Sequence, residues 1–216
     1  MISGTTLRLT AALTLAALIS PTCAAATSPD ALVASLARPA PARTAFAEVR
    51  FLGMLERPLV LTGELAWLGG DHLRRSVATP YREQSDIADG TLRVQRGQRP
   101  PREVSLARAP ELKGLLLSFQ ALLSGDAAAL ADAFEVRADG DAARWTLHLV
   151  PRDAALRRRV TAITVDGAER EPRCMRLDEA DGDRSVTLFG AAAEPLPTPH
   201  ATRAELDARC RGTAAR

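Results

Sequence analysis

The chain has 216 residues, of which 46% are hydrophobic, 25% charged and only 4% aromatic. That length suits one domain with a core of its own, and the composition excludes a collagen-like chain, a disulfide-dense miniprotein and a disordered charged tail. A formal net charge of +2 argues against a dedicated nucleic-acid binder, and the scarcity of aromatic rings means that any large apolar space must be lined by Leu, Val and Ala.

Residues 1–26 read as an export signal. Arg8 supplies a positive charge, Leu9 to Ile19 form an apolar run, Pro21 breaks it, and Ala24-Ala25-Ala26 offers a small-residue cleavage site. The run is too short to span a bilayer. A lipoprotein signal acylated at Cys23 is the competing reading, and Ser20-Pro21-Thr22 before that cysteine is a poor match to it. Cleavage after Ala26 leaves Cys174 and Cys210. Two thiols in an exported protein favour one disulfide, worth about 4 kcal/mol on the chain-entropy argument.

Ser28-Pro29-Asp30 has the form of an N-cap with Pro at the first helical position, predicting a helix from Pro29 to about Arg38. Pro39 and Pro41 end it. The period then becomes two. Strands are expected at Thr44–Met54, then over Leu59, Leu61, Gly63, Leu65 and Trp67. Four more follow at Leu73–Thr79, Tyr81–Ala88, Thr91–Arg96 and Arg102–Ala107, and Asp89-Gly90 marks a hairpin. From Pro110 the spacing of Leu112, Leu115, Leu116, Phe119, Leu122 and Leu123 is helical. Gly125 stops that stretch, and Asp126 caps a short helix running to Ala133. Strands resume at Phe134–Ala138, Arg144–Val150, Val160–Val165, Arg173–Glu179 and Arg184–Phe189, with turns expected at Asp166-Gly167 and Asp181-Gly182. Residues 191–200 read as extended, and Ala201–Arg209 as a helix that returns Cys210 to the body.

The expected fold is mainly β with an α lid: about eleven antiparallel strands in one sheet long enough to curl, one face apolar and covered by helices. The domain is expected at 27–190, followed by a C-terminal extension at 191–216.

Catalytic signatures are missing. His72, His148 and His200 have no second ligand at metal spacing, and no G-x-S-x-G, Walker or dinucleotide fingerprint occurs. His148 reads as a solvent-facing strand residue. Arg157-Arg158-Arg159 reads as a solvated connector, with contact to anionic lipid as the alternative. What the sequence does supply is aliphatic surface. Leu59, Leu61, Leu65 and Trp67 on one strand, Leu116 and Phe119 on the mid-chain helix, and Leu147 are the candidate walls of an acyl-chain cavity, where each buried CH₂ is worth about 0.8 kcal/mol. The same side chains could equally fill a core, and residue pattern alone leaves that choice open.

The order of elements resembles the LolA family of lipoprotein carriers, in a divergent LolA-like branch. Phe46-Ala47-Glu48-Val49-Arg50 followed by Gly63-Glu64-Leu65-Ala66-Trp67 is similar to the family's F-x-Q and G-x-L-x-W strands. Leu73-Arg74, Thr79-Pro80 and Ile87-Ala88-Asp89-Gly90-Thr91-Leu92 are similar to its Pro and D-G-x-x-L hairpin. The mid-chain helical segment follows, then Trp145-Thr146-Leu147-His148-Leu149-Val150-Pro151, Ile163 to Gly167 and Gly182 to Ser185. The resemblance covers about Leu32 to Phe189. It implies an unclosed β-barrel with a helical lid over an apolar cavity, and a monomeric periplasmic carrier of an acylated lipoprotein or fatty-acyl lipid. It also implies an inner-membrane exporter and an outer-membrane acceptor as partners, with no cofactor, no covalent chemistry and no nucleic acid. The family's usual carriers place an Arg-Pro after the G-x-L-x-W strand; here Leu68-Gly69-Gly70 stands there, so no Arg inherits that role. A protein-interaction or sensor module on the same fold is the alternative, and an acyl hydrolase a third.

Overall fold

In the computed structural model, residues 28–108, 116 and 119–212 are described; the expected signal segment, Leu112 and Leu115 lie outside them. Helix α1 spans Pro29–Ser35, and the Ser28 hydroxyl accepts from the Ala31 amide as its cap. It stops before Arg38, whose amide donates instead to the Leu123 carbonyl.

Six strands follow: β1 (Ala42–Phe51), β2 (Leu59–Gly69), β3 (His72–Thr79), β4 (Glu83–Ala88), β5 (Thr91–Arg96) and β6 (Arg102–Ser105). Helical residues 119–124 form α2, and Asp126 caps α3 (Ala127–Ala133) through the Ala129 amide. The chain continues as β7 (Phe134–Asp141), β8 (Arg144–Pro151), α4 (Ala154–Arg157), β9 (Val160–Ala168), β10 (Glu171–Glu179), β11 (Arg184–Phe189) and α5 (Arg203–Cys210).

All eleven strands form one antiparallel sheet in the order β6-β5-β4-β3-β2-β1-β11-β10-β9-β8-β7. It consists of two meanders joined by the pairing of β1 with β11, as at Val49 opposite Val186. β6 and β7 are the two edges and do not pair, so the sheet is unclosed. Laid flat, eleven strands would span roughly 48 Å.

Side chains alternate across a strand, so the register assigns each residue to a face. The inner face carries α1 to α4. Under them lie Phe134, Trp145, Leu147, Leu149, Ile163 and Val165, packed against Leu32, Val33, Leu36, Leu122, Leu130 and Leu156. The outer face has a core of its own rather than being left polar throughout. Ala47, Val49, Val186 and Leu188 pack there against Ala193 and Leu206 of the C-terminal extension. The central strand β1 is therefore buried on both faces, which strict alternation of apolar and polar residues does not foretell. A disulfide joins Cys174 on β10 to Cys210 on α5, with a Cα–Cα distance of 5.3 Å.

One expected turn is absent. Asp166-Gly167 lies inside β9, which turns instead at Glu169, a residue with φ of 54°. Gly167 serves contact, not turning: a Cβ there would sit 2.1 Å from Cζ2 of Trp145. Asp166 is buried beneath α5, where it accepts from the Thr146 hydroxyl at 2.8 Å and pairs with Arg176, which also holds Asp207 of α5. Gly190–Ala193 makes a 3₁₀ turn, so the extended stretch expected at 191–200 does not begin as one.

Candidate functional site

The helices cover the inner face unevenly. Over β8 and β9 the inner side chains are buried, while Val136 and Ala138 of β7 and Met175 and Leu177 of β10 are half-buried against that core. Over β2 to β6 the face carries a continuous apolar row, one residue per strand: Trp67 opposite Leu73, Leu73 opposite Ile87, Ile87 opposite Leu92, and Leu92 opposite Val104. The first four are half-buried, and Val104 is 42% exposed. Such a row forms because each strand presents an apolar residue at the position the antiparallel register sets side by side.

Beside the row runs a chain of charges on the same face. Glu48 of β1 is only 6% exposed. Its carboxylate accepts from Arg50 and, at 2.6 Å, from Arg75 of β3. Arg75 also approaches Glu83 of β4 at 3.9 Å, and Glu83 accepts from Arg96 of β5 at 2.5 Å. Burial alone would lower the Arg50 pKa, but the carboxylate of Glu48 raises it above the ordinary arginine value. The arginines also lie over rings, Arg75 at 4.9 Å from the centroid of Phe46 and Arg96 at 4.7 Å from that of Tyr81. Gly63 makes room for the first contact. A Cβ there would meet the Ser76 carbonyl oxygen at 1.9 Å and Cε1 of Phe46 at 2.9 Å.

The candidate residues separate into three groups. Leu59, Leu65 and Trp67 are half-buried on the inner face of β2. Leu61 is fully buried in a small cluster with Phe46 and Val77, and Leu147 is fully buried beneath the helices. Leu116 and Phe119 are half-buried helical residues that fall between β6 and β7 along the chain. Leu73, Ile87, Leu92 and Val104 complete the row without having been singled out from the sequence, although each sits in an expected strand. Glu48, Arg75, Glu83 and Arg96 were also missed. Alternation within Phe46-Ala47-Glu48-Val49-Arg50 would have placed Glu48 on the Phe46 side.

The histidines serve locally. His148 on the outer face lies 3.1 Å from Asp139, and His72 lies 3.8 Å from Asp86. Burial works against the charge of Asp86, but hydrogen bonds from Gln84 and Arg74 hold its carboxyl below the usual range. Among the described residues, no group of three or more His, Cys, Asp or Glu could hold a metal, and no helix is long and apolar enough to cross a membrane. The arrangement therefore offers apolar area beside guanidinium groups.

A family model described as outer membrane lipoprotein carrier protein LolA-like matches residues 21–212. No curated protein matches the sequence. Among solved structures, the LolA superfamily protein NE2245 from Nitrosomonas europaea aligns at 9% identity and a TM-score of 0.42, over 76% of this chain and 92% of that one. LprF from Mycobacterium bovis aligns at 13% identity and a TM-score of 0.34, over 81% and 100%. A chain of the Pseudomonas aeruginosa MucA/MucB complex aligns at 15% and 0.33, over 81% and 57%. Scores this low mark a distant likeness only.

Proposed function

The chain belongs to the family of LolA-like outer membrane lipoprotein carrier proteins, and from that membership we propose that it shelters acyl chains on the inner face of β2 to β6. The cargo is an acylated lipoprotein or a fatty-acyl lipid, carried through the periplasm toward the outer membrane. The signal at 1–26 delivers the protein there, 27–190 is the binding domain, and the extension at 191–216 is tied back by its disulfide. An inner-membrane donor and an outer-membrane acceptor are the matching partners.

The observation that carries this reading is the apolar row Trp67–Leu73–Ile87–Leu92–Val104, partly exposed on a face whose residues on β8 and β9 are fully buried. Covering it with hydrocarbon removes apolar area from water at roughly 25 cal/mol per Å², and the acyl chain gains about 0.8 kcal/mol per buried CH₂. Non-covalent carriage of this kind requires area and no chemistry, in keeping with the lack of catalytic signatures. Leu59 and Leu65 extend the same surface along β2, and the half-buried helical residues Leu116 and Phe119 are further candidates for its wall. Leu61 and Leu147 act as support from within the core.

The test is binding of a fluorescent fatty acid, together with mass spectrometry of lipid extracted from the purified protein. Ile87→Glu puts a charge in the middle of the row and should weaken fatty-acid binding at least tenfold with little change in melting temperature. A protein that carries no lipid and ignores the fatty acid would sink the proposal. The second reading, a protein-interaction or sensor module, draws on β6, an edge strand whose four residues are all exposed. Capture of a partner strand on that edge by lipid-free protein would favour it.

A further inference from the structure

The inner-face row has a chemically distinct end. β5 places Leu92, Val94 and Arg96 on one face at alternate positions. Arg96 pairs with Glu83, which stands four residues from Ile87 along β4, about 13 Å at the rise of a strand. The β3–β4 and β5–β6 loops meet at that end of the hairpin, tied by the Gly97 amide donating to the Arg82 carbonyl at 2.9 Å. Between them is an open groove of about 530 Å³ lined by Tyr81, Arg82, Arg96 and Arg99.

The charge there is not balanced locally. Glu83 is shared between Arg96 and Arg75. Arg82 and Arg99 are exposed, and neither has an acidic side chain within 4.0 Å among the described residues. Tyr81 packs against the Phe46, Leu61 and Val77 cluster and carries Arg96 over its ring. One wall of the groove is thus continuous with the apolar inner face, while its rim is cationic. Guanidinium groups match a phosphate oxygen pair in geometry and are weakly hydrated, so they recognise phosphate at low desolvation cost.

We propose that this groove is the headgroup site of the carrier, and that the acyl cargo bears a phosphate-class anion held by Arg82, Arg96 and Arg99 while its chains lie along Val94, Leu92 and Ile87. The inference rests on the acyl-carrier reading and adds the polar half of the ligand to it.

Fluorescently labelled phosphatidic acid and the matching diacylglycerol carry the same chains and differ by the phosphate. Titrated into the full-length mature protein, the phosphatidic acid should bind at least tenfold more tightly. That preference should shrink in high salt, because the groove is open to solvent. It should vanish in the R82Q/R99Q double variant, which keeps the Arg96–Glu83 pair and should melt at an unchanged temperature. Equal affinity for the two lipids would overturn the headgroup site and leave the carrier reading standing. Binding of neither would overturn both. A preference that survives R82Q/R99Q would show that the anion is held elsewhere and overturn this placement. Glycerol 3-phosphate binding as tightly as phosphatidic acid would assign the groove to a soluble phosphate and overturn the lipid assignment.

Discussion

Glu179, at the end of β10, is held above the ordinary glutamate value by burial and by the neighbouring charges of Asp181 and Asp183, while Arg50 pulls the other way. The folded chain therefore keeps this proton more tightly than the unfolded chain does. A carboxyl raised in this way contributes stability below its unfolded pKa, and that contribution is lost as pH rises through the folded value. At neutral pH the charged group is a small liability. Glu179→Gln should raise stability at pH 7 by about 0.5 kcal/mol, the scale of a solvent-screened charge interaction. The gain should fade as pH falls below the ordinary glutamate pKa, where the native residue is itself neutral. Urea unfolding of both proteins at pH 7 and pH 4 reads this. A Gln variant less stable at pH 7 would mean that attraction to Arg50 outweighs burial and the aspartates.

At the scale of elements, α5 is too short and polar to hold its place by propensity, since isolated helices of this length are marginal in water. Four separate devices fix it. Thr202 and Glu205 form a reciprocal capping box, and Leu206 enters the outer core. Arg176 ties Asp207 to buried Asp166, and Cys210 is bonded to Cys174. Replacing both cysteines by Ser should cost about 2–4 kcal/mol, read as a lower urea midpoint that reducing agent reproduces in the native protein and leaves unchanged in the variant. An equal midpoint before and after reduction would show that packing and ion pairs alone hold the extension.

The same elements show what the sequence could and could not convey. Period-two runs revealed the strands because a strand with one buried face writes its burial into alternate residues, as Leu59, Leu61 and Leu65 do. Local chemistry also revealed the Asp89-Gly90 hairpin, where both residues take positive φ, 50° and 68°. Asp166-Gly167 misled because the same letters that favour a turn also serve a buried ion pair and a site where a ring must approach the backbone. The adjacency of β1 and β11 joins residues more than 130 positions apart, and no local pattern encodes such a pairing. The apolar row was hidden for the same reason. Each strand contributes one ordinary apolar residue, and only the register makes five of them a surface.

For the molecule as a whole, the two meanders share one sheet but differ in cover. β8 and β9 have fully buried inner side chains packed under the helices, whereas β4 to β6 have half-buried or exposed inner residues and end in an open edge. Local opening costs least where few apolar contacts must be broken. Backbone amides of β4 to β6 should therefore exchange with deuterium much faster than those of β8 to β10 in the ligand-free protein. A lipid lying on the Trp67 to Val104 row would add the missing apolar contacts to that half alone. Binding should slow exchange in β3 to β6 by at least tenfold and leave β8 to β10 where they were, because their core gains no neighbour. Hydrogen-exchange mass spectrometry with and without bound fatty acid separates the outcomes. Protection spread evenly over both meanders would mean that the ligand stabilises the fold globally, and protection confined to β8 to β10 would place it beneath the helices, with the open half serving some other purpose. On the carrier reading, the expected asymmetry follows from how the fold divides its work: β8 and β9 sit in a packed core, and the Trp67 to Val104 row offers the apolar surface on which the proposed cargo would lie.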